Sequence, residues 1–137
     1  MAVTITISQA ELKRKADLAY DNKTYKVFLA DNSTAALEAE DTATAWLAEE
    51  LATSDGYAAV TGTITTGSGD YDAVDARYEF PAIVATFTAS GTGFTYDTLV
   101  IRIASETSVA GILVESPAIT LLAGQSKTYT ITLGEDD

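Results

Sequence analysis

Lys127-Thr128-Tyr129-Thr130-Ile131-Thr132-Leu133 (KTYTITL) decides the fold. Tyr129, Ile131 and Leu133 fall on one side of an extended chain, and Thr128, Thr130 and Thr132 on the other. That period of two belongs to a half-buried antiparallel strand. Working outward, Ala123-Gly124-Gln125-Ser126 is a turn, and Ala118–Leu122 and Gly111-Ile112-Leu113-Val114 read as two short strands before it. Thr95–Ile103 (TYDTLVIRI) is the longest strand of the block, and Ile83–Ala89 (IVATFTA) enters it through Ser90-Gly91-Thr92-Gly93. β-branched and aromatic residues dominate, with Gly, Ser and Pro between them, as strands joined by tight turns require.

The N-terminal half is more mixed. Val3, Ile5 and Ile7 alternate with Thr4 and Thr6, so residues 1–8 read as a strand or an extended arm. Ser8-Gln9-Ala10-Glu11 has the form of a capping box and predicts a helix from Gln9 to about Tyr20, with Leu12, Ala16 and Ala19 on its apolar face. Asp21-Asn22-Lys23 turns the chain into a strand over Thr24–Ala30. Asp41 or Thr42 can cap a short helix through Trp46, with Glu49 and Glu50 facing outward. Tyr57–Thr66 and Tyr71–Phe80 read as two further strands, the second ended by Pro81. The expectation is a mainly β chain: an antiparallel β-sandwich or open barrel of about eight strands, with an N-terminal helix and one short middle helix. Residues 9–134 are expected to form one domain, and 135–137 an acidic tail.

Composition narrows the function. The 137 residues include eight basic and twenty acidic ones, a net charge of −12. Such a chain is repelled by phosphate backbones and anionic membranes, so neither nucleic acid nor membrane is an expected partner. It has no cysteine, which removes disulfides and thiolate metal sites, and no histidine, which removes the commonest general base and the Ser-His-Asp triad. No apolar run approaches the ~20 residues that span a bilayer, and Met1–Ile7 lacks the basic start of a secretory signal. No enzymatic activity and no cofactor are expected.

Two groups of residues stand out. Asp70, Asp72 and Asp75 follow Gly67 and Gly69 and could offer oxygen ligands to calcium, although the EF-hand Gly and Glu are missing. The plainer reading is an acidic strand edge that resists aggregation. Lys13, Arg14 and Lys15 concentrate three of the eight basic residues on the first helix. They are either a contact for an acidic partner or a solvated face. Glu38, Glu40 and Asp41 form a further acidic group with no distinguishing spacing.

Tyr25–Asn32, Gly56-Tyr57, Ala85–Gly93, Leu99–Ile103 and Leu122–Leu133 occur in an order that resembles small virion proteins from the structural modules of tailed bacteriophages. The Ala/Glu-rich Leu37–Leu51 segment departs from that pattern. The resemblance implies a β-rich virion subunit acting by assembly, foremost a capsid decoration (cement) protein. Its partners would be the major capsid protein or other virion subunits, and it would form a homo-oligomer, a trimer being the simplest. It also implies that Val3, Thr4, Ile5, Thr6 and Ile7 add as an arm to a neighbouring subunit. The alternatives are a tail, baseplate or fibre component and, from another class, a calcium- or carbohydrate-dependent binding module.

Overall fold

The computed structural model describes residues 8–136. The chain is mainly β and antiparallel, with nine strands and two helices among the described residues. The described residues form two compact units, and the chain crosses between them repeatedly. One unit comprises Thr24–Gly62 and Val84–Tyr129; the other comprises residues 8–23, Thr63–Ile83 and residues 130–136.

The larger unit is a sandwich. Its four-stranded sheet has the order β2 (Val60–Thr63), β1 (Thr24–Ala30), β6 (Phe94–Ile103), β7 (Gly111–Leu121). Facing it is a two-stranded ladder of β5 (Ile83–Thr88) and β8 (Ser126–Ile131). Hydroxyls pair across that ladder, Thr86 with Thr128 at 2.9 Å and Thr88 with Ser126 at 2.7 Å. Apolar and aromatic side chains fill the space between the layers. Tyr57 stacks on Phe87, Phe87 meets the edge of Tyr129, and the Tyr96 and Tyr129 hydroxyls are 2.7 Å apart. β8 shows the alternation read from its sequence: Tyr129 is buried while Thr128 and Thr130 are exposed.

Alternation fails in β1, where Val27, Phe28, Leu29 and Ala30 are all fully buried. The reason lies on its second face. There α2 (Ala43–Ala48), capped by the Thr42 hydroxyl on the Ala45 N–H, lays Trp46 over Phe28, Ala30 and Val100. The strand is therefore covered on both sides. Glu50, expected to face outward, instead accepts from Lys26 and, at 2.6 Å, from the Tyr57 hydroxyl. That hydroxyl in turn accepts from the Leu29 N–H.

Residues 111–121 also differ from expectation. They form one strand, not two, because a bulge absorbs Pro117. Register on β6 jumps from Tyr96↔Ile119 to Thr98↔Val114. Proline has no N–H for the ladder, and a bulge is where a strand tolerates it.

In the smaller unit α1 (Gln9–Tyr20) packs on a three-stranded sheet ordered β3 (Asp70–Asp72), β4 (Arg77–Glu79), β9 (Gly134–Asp136). Ser8 caps the helix through the Glu11 N–H, and Leu12 and Ala16 are its buried face. The Glu11 carboxylate does not close the capping box, because it binds Arg14. Two expectations are corrected here. Tyr71–Phe80 is a hairpin and not one strand. The acidic end is no solvated tail: residues 134–136 pair with β4 in the register Tyr78↔Glu135, which satisfies backbone groups that β4 would otherwise leave open.

Candidate functional site

The β3–β4 hairpin gathers the acidic side chains. Antiparallel register sets Asp70 opposite Glu79, Tyr71 opposite Tyr78 and Asp72 opposite Arg77. The turn 73–76 contains no glycine, and Ala76 adopts φ 53°. The Asp72 side chain makes that turn possible. Its Oδ1 accepts from the Val74 N–H at 2.8 Å and the Asp75 N–H at 3.3 Å, an Asx arrangement.

Asp72, Asp75 and Glu79 each bring one carboxylate oxygen within 4.8 Å of the others. Their electrostatics diverge. The amide N–H groups of Val74 and Asp75 hold the Asp72 carboxyl below the usual carboxylate range. Loss of hydration, followed by its contact with Asp72, pushes Glu79 up. Arg77 offsets this weakly, with its Nε 3.6 Å from the Glu79 carboxylate. Beside the cluster is an open depression of about 400 Å³, lined in part by Ser68, Asp70, Tyr71 and Phe80.

Of the three aspartates singled out by sequence, the hairpin brings together Asp72 and Asp75 and leaves Asp70 outside the cluster; Asp70 accepts from the Tyr71 N–H at 2.8 Å. Glu79 takes its place. Read as one strand, the segment puts Glu79 roughly 23 Å from Asp72, and only the register of the hairpin folds it back. Three carboxylate oxygens are half or fewer of the ligands that calcium takes, and Asp72 Oδ1 already serves the turn. A sugar platform is poorly provided for: Tyr78 and Phe80 are 8% and 3% exposed, and Tyr71 is half-buried.

No family model matches the chain, and no curated protein or solved structure matches it.

The proposed partner contacts fare unequally. Val3, Thr4, Ile5, Thr6 and Ile7 lie outside the described residues. Lys13 binds Asp17 one turn on and sits 5.7 Å over the Tyr78 ring. Arg14 is held by both oxygens of Glu11, and Lys15 is half-buried. Consecutive helical positions spread these three over roughly 200° of the helix surface, so they do not form one basic face. In the third acidic group, Asp41 accepts from the Glu38 N–H at 2.7 Å and closes the loop ahead of α2.

Proposed function

We propose that this chain is a non-enzymatic structural subunit of a tailed-phage virion, a capsid decoration protein that binds and stabilises the shell. The observation that carries the reading is the edge strand β7. It is eleven residues long and borders the four-stranded sheet, with no further strand beyond it among the described residues. Leu113 and Val114 on it are 48% and 61% exposed. A long edge with open N–H and C=O groups and apolar side chains is a liability in a monomer and a docking element in an assembly. The order of motifs along the chain supports the phage setting. Asp72 is committed to the hydrogen bonds of its turn, which is in keeping with the non-enzymatic part. A homo-oligomer, with a trimer as the simplest case, and a capsid subunit as partner complete the proposal.

Antibody labelling of purified particles, read by electron microscopy, tests it. Label spread over the heads is the expected result. Label confined to tails would move the protein to the tail or baseplate, and unlabelled particles would end the virion reading. A calcium-dependent module is favoured by one observation, the Asp72–Asp75–Glu79 cluster. Millimolar calcium would then raise the melting temperature, and Glu79→Gln would cancel the rise.

A further inference from the structure

Strand β7 ends two rows of side chains that run across the four-stranded sheet. On one face Leu29 of β1 stands opposite Leu99 of β6, and Leu99 opposite Leu113 of β7. On the other face the row is Ala30, Thr98 and Val114. The inner members of both rows are buried, whereas Leu113 and Val114 stand open. Facing side chains are the unit of sheet stabilisation, and among the described residues neither row has a member beyond β7. The row that ends at Leu113 calls for an apolar side chain. The row that ends at Val114 already contains a threonine. A strand that alternates apolar residues with threonines therefore suits both faces at once.

The sequence holds such a stretch outside the described residues, where Val3, Ile5 and Ile7 alternate with Thr4 and Thr6. Strand β5 shows the same pattern in place, with Ile83, Ala85 and Phe87 buried and Thr86 and Thr88 exposed. Extended, five residues span about 17 Å, which matches residues 111–115, the part of β7 ahead of its bulge. Charge agrees. Residues 1–7 carry no charged side chain, and Gly111–Leu121 carries only Glu115, which is half-buried and accepts from the Tyr129 hydroxyl at 2.9 Å. Copies of a chain with net charge −12 repel one another, and an uncharged arm on a nearly uncharged edge meets the least of that repulsion. We infer that residues 3–7 of one copy add as a fifth strand along β7 of a second copy, with Val3, Ile5 and Ile7 on the Leu113 face and the threonines on the Val114 face. The contact runs from arm to edge, the head-to-tail kind that closes into rings. The choice of a second copy rests on the proposed homo-oligomer; the match of arm to edge does not.

The chain has no cysteine, so introduced thiols report without background. Whole-chain variants Thr4→Cys and Val114→Cys are oxidised mildly, each alone and as an equimolar mixture. A second mixture uses Thr6→Cys in place of Thr4→Cys, to cover the register. In at least one mixture the mixed disulfide is expected several-fold above either homodimer. An excess of the Val114→Cys homodimer would mean that β7 pairs with β7. A disulfide formed within one chain, by Thr4→Cys or Thr6→Cys combined with Val114→Cys, would mean that the arm covers its own edge. Either result overturns the inference, as does the absence of any disulfide. Sedimentation gives a second reading. Ile5→Pro removes a backbone N–H from the arm and is expected to lower the mass of the oligomer, with Trp46 emission unchanged; an unchanged mass overturns the inference. None of these readouts uses particles, so a protein that fails them and still labels heads would keep the virion reading and lose this one.

Discussion

Trp46 is fully buried, and its indole N–H donates to the Glu38 carbonyl at 3.1 Å. Trp46→Ala removes both the packing on Phe28 and Val100 and that bond. A loss of about 3–5 kcal/mol is expected in denaturant unfolding; a loss under about 1 kcal/mol would mean the cluster collapses without cost. Tyr57→Phe tests a polar contact in the same unit. It leaves one oxygen of the Glu50 carboxylate, whose other oxygen keeps Lys26, and the Leu29 N–H without that hydroxyl, so about 1–3 kcal/mol should disappear. Burial, helped by the Glu50 hydrogen bond, holds the Tyr57 phenol far above its ordinary value, so it stays protonated throughout the neutral range.

The Asp72–Glu79 pair predicts opposite pH dependences. Asp72 is depressed in the fold, so its contribution is present above its unfolded value of about 3.9 and fades as pH falls through the folded one. Glu79 is raised, so its contribution is full below about 4.3 and is lost as pH rises through the folded value. Glu79→Gln should therefore melt higher than the native protein at pH 7, with the gap closing towards pH 4. A gap that widens on acidification would reverse the assignment.

At the scale of elements, much was legible in the sequence. Ser8 marks the start of α1, and β1 and β6 fall where their apolar runs lie, within a residue. What was not legible depended on partners far along the chain. The turn 73–76 is hidden because an aspartate side chain and an alanine at positive φ replace the usual Gly or Asn. β9 looks like a polar tail until β4 is beside it, and β7 looks broken at Pro117 until a bulge takes up the proline. The carboxylate cluster was legible only in part for the same reason: Asp72 and Asp75 stood out in the sequence, and Glu79 joins them through register alone. Gly93 is decided by contact as well: it has φ 79°, and a Cβ there would lie 2.2 Å from the Leu121 carbonyl oxygen. Gly93→Ala should cost well over about 1 kcal/mol, and wild-type stability in that variant would refute the close approach. On the β7 edge, Val114→Lys adds a charge at an exposed position. Its melting temperature should match the native protein while binding to particles falls; unchanged binding would remove β7 from the contact.

For the whole molecule, the two units differ in how they are assembled from the chain. The sandwich holds Trp46, so indole emission reports on that unit alone. Hydroxyl pairs join neighbouring strands within each of its layers, such as Thr95 with Thr120 at 2.8 Å and Thr86 with Thr128 at 2.9 Å, and each is worth about 0.2–1 kcal/mol. The helix-and-sheet unit draws on three separate stretches of sequence.

That division gives a timetable at the ribosome. Helix α1 and the β3–β4 hairpin are made before β9, so their sheet lacks its third strand until residues 134–136 are available. Tyr78 and its backbone must wait while β5, β6, β7 and β8 of the sandwich are made, and the sandwich has every one of its strands before β9 is complete. A variant truncated before residue 134 keeps every strand of the sandwich but leaves β4 with an open edge, ready to pair with another chain.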